Sequence, residues 1–239
     1  MTVTPADAAK RGGPSAIAQL KERAKHIAHD VLSPVVRGLA GLGIKADHLT
    51  WLGLALGVAA GVAFFDGQSQ LAAGLLLLGG VCDILDGELA RRSGVTSRFG
   101  AFLDSTLDRL SEAAVLVGIA GFGVRNLETL AFEPERVVRE IQSGLDPVSW
   151  VVLVLLAMLS LVGSFMVSYT RARAEGLGLE CKVGWFERPE RLVLLMLAGA
   201  IHRFWALAGA LLLLTVFSIA TAVQRMVHVW KNTRGAGRD

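Results

Sequence analysis

Six apolar stretches follow one another along the chain from residue 49 onwards. They cover residues 49–65, 71–90, 99–123, 148–170, 191–202 and 204–223. The hydrocarbon core of a bilayer needs about 20 helical residues, and four of the stretches are that long or nearly so. The fifth is shorter and is separated from the sixth only by His202 and Arg203, which indicates a tight turn. The pattern therefore predicts six transmembrane helices.

Composition supports this interpretation and excludes other classes of protein. Hydrophobic residues make up 53% of the chain, charged residues 19%, and the mean hydropathy is +0.52. Soluble domains typically carry about 25% charged residues, so a soluble or disordered chain is excluded. Backbone polar groups must be paired in lipid, and the stretches are too long for the strands of a membrane barrel. The predicted fold class is an all-α integral membrane protein.

The first 45 residues carry a different pattern. Residues 1–13 are polar and contain no apolar run of signal-peptide length, so they are predicted to be a disordered tail. Residues 14–45 place apolar positions at helical spacing with basic residues between them, which favours an amphipathic helix on the cytoplasmic membrane surface. An ordinary helix packed on the rest of the protein is the alternative. A six-helix domain then follows over 46–231, and 232–239 form a C-terminal tail.

The basic residues predict the orientation in the membrane. The net charge is only +3, too small to argue for a nucleic-acid partner. With both termini on one side, that side receives all Lys and Arg residues except Arg109, Arg125, Arg136, Arg139 and Arg203. The basic side is cytoplasmic by the positive-inside bias, which predicts a multi-pass inner-membrane protein. The acidic segment 125–146 is then an external loop or short helix.

The chain has two cysteines, Cys82 and Cys181. Two are too few for a disulfide framework, so both are expected to be free.

Four aspartates interrupt the second and third apolar stretches: Asp83, Asp86, Asp104 and Asp108. A carboxylate at mid-membrane costs about 2.5–3.5 kcal/mol on insertion scales, so a compensating charge is expected. Asp83 and Asp86 share one helix face, and Asp104 and Asp108 share another. The short link between the two helices lets both faces converge at their cytoplasmic ends. Two Mg²⁺ or Mn²⁺ ions with oxygen ligands would neutralise the four carboxylates.

Two alternative roles for these aspartates stay open. Each carboxylate could pair with a nearby guanidinium, for which Arg91, Arg98 and Arg109 are candidates. Alternatively, the carboxylates could relay protons or ions across the membrane. The flanking residues favour a phosphate ligand, because Gly87, Gly100 and the small Ala90 allow close approach and Arg91 offers a planar fork of donors.

These residues together read DxxDGxxAR, eight further residues, then GxxxDxxxD. The pattern resembles the signature of the CDP-alcohol phosphatidyltransferases at every position. The resemblance implies a six-helix membrane enzyme, usually a homodimer, that displaces CMP from a CDP-linked donor with an alcohol hydroxyl. It further implies one metal on Asp83, Asp86 and Asp104, and a second on Asp83, Asp104 and Asp108. Asp108 is then also the proton acceptor from the attacking hydroxyl.

Three further segments resemble one branch of that family, the bacterial phosphatidylinositol-phosphate synthases. They are SYTRARAEG, ERPER and VQRMVHVW. The resemblance implies that Arg171, Arg173, Arg191 and Arg225 bind the phosphate of inositol 1-phosphate, with Arg171 where the branch commonly has Lys. Positive-inside anchoring by snorkelling side chains is the alternative for any one of them.

The same branch has a Pro-Asp-x-x-Thr stretch that contacts the CDP moiety, and this chain has Ala46 in place of the proline. The residues expected to bind the CDP donor are Asp47, His48, Leu49, Thr50, Gly87, Ala90, Arg91, Ser97 and Gly100. The predicted reaction transfers a phosphatidyl group from CDP-diacylglycerol to inositol 1-phosphate. Glycerol 3-phosphate as the acceptor, or another CDP-linked lipid as the donor, is the alternative within the family. A transporter or a peripheral lipid-binding anchor fits the aspartates less well.

Overall fold

The structure is a computed structural model that describes residues 34–93, 97–184 and 186–235. A helical segment over 34–41, α1, precedes seven helices. They are α2 (Ala46–Phe65), α3 (Ser69–Ser93), α4 (Arg98–Phe132), α5 (Pro134–Gln142), α6 (Pro147–Glu175), α7 (Arg188–Ile201) and α8 (Phe204–Gly235). The predicted tail over 1–13 and most of the predicted surface helix lie outside the described residues. At the other end, α8 continues into the predicted tail as far as Gly235.

Five helices are long and apolar enough to cross a membrane: α2, α3, α4, α6 and α8. Their most apolar windows have mean hydropathies between 1.4 and 2.5. Many of their large apolar side chains are exposed at the surface of the bundle, where a bilayer would surround them. The chain is therefore a multi-pass membrane protein, as predicted.

The fifth predicted span corresponds to α7, which has only 14 residues. Its first residue, Arg188, contacts Asp83 in the second half of α3, and His202, which follows its last residue, bonds to Ser69 at the start of α3. The two helices therefore run antiparallel over much the same depth. The predicted turn is present, with His202 in the left-handed conformation at φ 52°.

Glycines let α2 and α4 approach each other closely. A Cβ on Gly118 would lie 2.0 Å from the carbonyl oxygen of Gly61, and a Cβ on Gly61 would lie 2.4 Å from that of Ala114. Neither site tolerates a side chain without a shift of the backbone. The buried core next to this contact includes Phe64, Leu116, Ile119, Leu153 and Leu211. This contact fixes the relative position of two helices that both begin beside the predicted site.

The acidic segment 125–146 forms the other end of the bundle. Its first part continues α4 to Phe132, and the rest contains the amphipathic helix α5, so the expected short helix is present. Glu140 of α5 accepts a hydrogen bond from the indole of Trp150 over 2.7 Å and one from Arg136 over 3.2 Å. The bond from Trp150 joins α6 to α5, whereas the bond from Arg136 lies within α5. Cys82 and Cys181 are both free, as predicted, and the structure shows both to be buried.

Candidate active site

Three of the four aspartates form one acidic cluster. Carboxylate oxygens of Asp83, Asp104 and Asp108 all lie within 4.8 Å of one another. Asp83 comes from the second half of α3, while Asp104 and Asp108 follow one another on the same face of α4, one turn apart. The antiparallel arrangement predicted from the short link therefore brings these two faces together. We call these three residues the acidic cluster.

Asp86 lies beside the acidic cluster but is not one of its members. Its carboxylate accepts a hydrogen bond from the hydroxyl of Thr50 over 2.9 Å, and both residues are buried. Asp86 is thus tied to α2. Local spacing predicted a shared face with Asp83, but it could not reveal this partner on another helix.

A guanidinium faces the acidic cluster from α7. Arg188 forms salt bridges with Asp83, at 3.1 Å, and with Asp108, at 2.8 Å. The sequence proposed other arginines as partners, and the structure engages two of them elsewhere. Arg91 pairs with Glu88, and Arg109 bonds to the carbonyl oxygen of Ser105.

The residues of the acidic cluster suit a divalent cation. One guanidinium against three carboxylates leaves an excess of negative charge, which is costly in a bundle surrounded by lipid. Among the described residues, Oδ1 of Asp104 is buried without a hydrogen-bond partner. Carboxylate oxygens are hard ligands of the kind that Mg²⁺ and Mn²⁺ prefer.

A cavity of about 170 Å³ opens beside the acidic cluster, between α2, α3 and the start of α4. We call it the Ser97 cavity. Six of the nine residues predicted to bind the CDP donor line it, namely Asp47, Thr50, Gly87, Ala90, Ser97 and Gly100, together with Ala46, Asp86, Ala101 and Asp104. Ser97 also caps α4, because its hydroxyl accepts a hydrogen bond from the amide of Gly100 over 2.8 Å.

The other three predicted donor-binding residues lie outside that lining. His48 is exposed and accepts a hydrogen bond from the amide of Lys45 at the start of α2. Leu49 is buried in a small apolar cluster with Leu85 and Leu89. Arg91 keeps an exposed side chain close to Gly87, so it borders the cavity from outside.

A second cavity, of about 210 Å³, lies on the opposite side of Asp104, between α4, α6, α7 and α8. We call it the arginine cavity. Arg171, Arg191 and Arg225, all predicted to bind the acceptor's phosphate, line it, and Arg109 and Arg188 add two further cations. The fourth predicted residue, Arg173, is exposed near the end of α6 and is not part of that lining. The positive charge therefore comes from four separate helices.

The three predicted arginines of this cavity are held differently. Arg225 is buried and donates to the carbonyl oxygens of Val167 over 2.5 Å and Val183 over 2.8 Å. Arg171 is half-exposed and pairs with Glu175 over 2.9 Å. Arg191 is buried and pairs with a carboxylate on α4.

Sequence reasoning did not assign three residues of this site. Glu112 and Glu187 line the arginine cavity together with Arg188. Glu112 could have been found, since it continues the one-turn spacing of Asp104 and Asp108 along α4. Arg188 stands on the same first turn of α7 as Arg191, but only the packing of α7 on α3 shows which carboxylates it meets.

Asp104 belongs to the lining of both cavities, and Asp108 to that of the arginine cavity. The acidic cluster therefore lies between a pocket lined largely by small residues and one into which five arginines converge. An anionic ligand in the arginine cavity would meet a ligand in the Ser97 cavity at these carboxylates. Such an arrangement suits a transfer between two substrates that enter from different sides.

Comparisons with known proteins agree with this chemistry. The sequence profile of the CDP-alcohol phosphatidyltransferases matches residues 44–230. The chain is 35% identical over 196 residues to archaetidylinositol phosphate synthase of Methanothermobacter thermautotrophicus, covering 81% of this chain and 87% of that protein. It is also 35% identical over 208 residues to phosphatidylinositol phosphate synthase of Mycobacterium tuberculosis, covering 84% and 86% of the two chains.

Solved structures of the mycobacterial enzyme have a similar fold. Its crystal structure with CDP-DAG bound superimposes with a TM-score of 0.68 at 33% identity, over 84% of this chain and 94% of that chain. A second crystal structure, in complex with manganese and citrate, gives a TM-score of 0.66 at 32% identity, over 82% and 88% of the two chains.

Proposed function

The chain belongs to the CDP-alcohol phosphatidyltransferase family, and we propose that it makes phosphatidylinositol phosphate and CMP from CDP-diacylglycerol and inositol 1-phosphate. The observation that carries this proposal is the position of Asp104 at the junction of the two cavities. Both kinds of relative, phosphatidyl and archaetidyl, are named as inositol phosphate synthases, which supports a phosphorylated inositol as the acceptor.

The reaction exchanges one phosphorus–oxygen bond for another. A hydroxyl oxygen of the acceptor forms a bond to the lipid-bearing phosphorus of the donor, and the bond from that phosphorus to the oxygen of CMP breaks. The hydroxyl proton passes to a base, and CMP leaves with the electron pair of the broken bond. We assign the base to Asp108, because it lies in the acidic cluster and lines the cavity on the acceptor's side.

The donor is assigned to the Ser97 cavity. Small residues there leave room for a diphosphate to approach the carboxylates. Gly87 has no side chain to fill the space next to the guanidinium of Arg91. Thr50 and Asp47 supply polar groups from the start of α2. His48, Leu49 and Arg91 stay predicted donor-binding residues that would act from the rim or through packing.

The acceptor's phosphate is assigned to the arginine cavity. Arg171, Arg191 and Arg225 line it, and planar guanidinium groups bind phosphate oxygens in pairs. Arg173 would contribute only long-range attraction from its exposed position. The hydroxyl to be phosphatidylated would then face Asp108 at the floor of the cavity.

A divalent cation, Mg²⁺ or Mn²⁺, would be held by the acidic cluster and, if a second ion binds, also by Asp86. When bound, such ions neutralise the phosphate oxygens and the leaving CMP. The manganese in the mycobacterial structure supports this assignment. The expectation of two ions per site rests on the family resemblance.

The remaining expectations concern assembly and topology. We place six crossings in the membrane, with α7 as the fifth, because it runs antiparallel to α3 between α6 and α8. The distribution of basic residues supports an inner-membrane protein whose active site faces the cytoplasm. A homodimer is expected from the family resemblance and would show in detergent as a particle of twice 25.4 kDa.

The test is release of CMP from CDP-diacylglycerol by the purified full-length protein with Mg²⁺ or Mn²⁺. Inositol 1-phosphate, inositol, glycerol 3-phosphate and serine serve as the acceptors. We expect inositol 1-phosphate to be used best, and Asp108→Asn to lower kcat about 100-fold or more. Preference for glycerol 3-phosphate would overturn the assigned acceptor. Failure to release CMP with any acceptor would overturn the enzyme, and near-normal CMP release by Asp108→Asn would overturn the assigned base.

A second donor is favoured by one observation. The archaeal archaetidylinositol phosphate synthase is as similar to this chain as the mycobacterial enzyme, at 35% identity each. Competition between CDP-diacylglycerol and CDP-archaeol in the same assay would distinguish the two donors.

A further inference from the structure

Glu112 of α4, a carboxylate with no role in the proposed reaction, pairs with Arg191 of α7. Nε of Arg191 donates to Oε1 of Glu112 over 2.6 Å, and Nη2 donates to Oε2 over 2.9 Å. The two side chains are 3% and 11% exposed, so this is a buried, two-pronged ion pair between α7 and α4. Both residues also line the arginine cavity.

This geometry leaves part of the guanidinium unused. An arginine has five N–H donors in a rigid plane, and Glu112 engages two of the three nitrogens. The third nitrogen, Nη1, is buried and has no hydrogen-bond partner among the described residues. An unpaired buried donor costs free energy unless a ligand satisfies it. The cavity that Arg191 lines is the place where such a ligand would bind.

The other two arginines of the cavity lack this combination. The guanidinium of Arg225 donates to two backbone carbonyl oxygens, which makes it a brace between α8, α6 and the segment before α7. Arg171 pairs with an exposed carboxylate and keeps a half-exposed side chain. Of these three arginines, only Arg191 is buried, bound to a carboxylate through Nε and Nη2, and left with Nη1 unpaired.

We propose that Glu112 is a positioning residue that fixes the plane of the Arg191 guanidinium, so that Nη1 is presented to the phosphate of the acceptor. The inference rests on the proposed function for the identity of the acceptor. In this role Glu112 acts through Arg191 rather than on the substrate, by holding the fork in one orientation before the phosphate arrives. A guanidinium that is already oriented loses little entropy when it binds, which raises affinity for a phosphate.

The position of Glu112 on α4 links the orientation of Arg191 to the proposed base. Glu112 lies one turn beyond Asp108, on the same face of the helix as Asp104 and Asp108. The residue that orients the phosphate-binding fork and the predicted base are therefore fixed to one rigid helix. The distance between the bound phosphate and the reacting hydroxyl is set by that helix, which would favour acceptors of one size.

The experiment compares Glu112→Gln with the wild-type protein by calorimetric titration of inositol 1-phosphate, which does not require turnover. Glu112→Gln keeps the size of the side chain but removes the charge and one of the two acceptor oxygens. We expect binding of inositol 1-phosphate to weaken about 10- to 100-fold, as for other residues that orient a ligand-binding group. The KM for CDP-diacylglycerol and the affinity for Mn²⁺ should stay within about twofold. The preference for inositol 1-phosphate over inositol, measured as a ratio of kcat/KM, should fall by a similar factor.

Glu140→Gln is the matched control, since Glu140 is a similarly shielded, ion-paired carboxylate at the other end of the bundle. It should leave binding of inositol 1-phosphate unchanged. A second variant, Glu112→Gln with Arg191→Met, removes both charges and avoids an unpaired buried cation. It should bind inositol 1-phosphate no more weakly than Arg191→Met alone, because Glu112 acts only through Arg191.

Unchanged binding in Glu112→Gln would overturn the inference. Equal losses for CDP-diacylglycerol, Mn²⁺ and inositol 1-phosphate would also overturn it, since they would show a general role in folding. These outcomes differ from a failure of the proposed function. If the wild-type protein binds inositol 1-phosphate but releases no CMP, the reaction is overturned, whereas the role of Glu112 is still decided by the titration. If the wild-type protein binds no inositol 1-phosphate, both proposals are overturned.

Discussion

Thr50 of α2 donates its hydroxyl to the carboxylate of Asp86 in α3 over 2.9 Å, with both side chains buried. This bond joins the segment expected to contact the CDP moiety with an aspartate of the family signature. Both residues line the Ser97 cavity. The bond therefore fixes one wall of the cavity that we assign to the donor.

Removal of the Thr50 hydroxyl should weaken donor binding. Thr50→Val removes one hydrogen-bond donor from a buried carboxylate, at a cost of about 1–3 kcal/mol. We expect the KM for CDP-diacylglycerol to rise about tenfold or more, with the KM for inositol 1-phosphate unchanged. Thr50→Ser keeps the hydroxyl and is the control. Equal KM values for Thr50→Val and Thr50→Ser would show that the hydrogen bond does not shape the donor site.

Because Asp86 is not a member of the acidic cluster, we expect unequal effects on metal binding. Asp104→Asn removes a member of the acidic cluster, so Mn²⁺ binding without substrates should weaken by at least about tenfold. Asp86→Asn should have a smaller effect on the first Mn²⁺ ion, because three carboxylates still face one another. Titration of Mn²⁺ followed by electron paramagnetic resonance measures both constants. Equal losses in the two variants would place Asp86 among the ligands of the first ion.

Arg188 should compete with a metal ion for the acidic cluster. Its guanidinium contacts Asp83 and Asp108, so Arg188→Gln removes a cation from the place where another cation would bind. We expect Mn²⁺ to bind several-fold more tightly in this variant, by the same titration. Arg125→Gln is the control, since Arg125 pairs with the distant Asp66. Weaker Mn²⁺ binding in Arg188→Gln would show instead that Arg188 holds the carboxylates in position.

Gly118→Ala should destabilise the bundle without altering the chemistry of the site. The new methyl group would meet the carbonyl oxygen of Gly61 and force α2 away from α4. Overpacking of this kind costs about 1–3 kcal/mol, which corresponds to a drop in Tm of roughly 5 °C for a chain of this size. Gly74→Ala is the matched control, because a Cβ on this helical glycine has no other atom within 4 Å. Thermal unfolding in detergent with equal Tm values for both variants would contradict the prediction.

Local sequence was sufficient for several features of the protein. Continuous apolar stretches predicted the membrane-crossing helices, since lipid leaves the backbone few other ways to pair its polar groups. One-turn spacing placed Asp104 and Asp108 on one face of α4, and the short link brought Asp83 opposite them. Each of these features depends on residues that are close together in the chain.

Other features were decided only by how the helices pack. Arg188 contacts the acidic cluster, and Glu112 binds Arg191 across 79 residues of sequence. Asp86 accepts a hydrogen bond from Thr50 on another helix. Such pairs depend on the rotation and axial offset of neighbouring helices, which close contacts such as that between Gly61 and Gly118 set. No periodicity in a single helix encodes these two quantities. The sequence by itself thus determined which charges enter the membrane, and the tertiary structure decided which of them face one another, because an ion pair requires proximity in space.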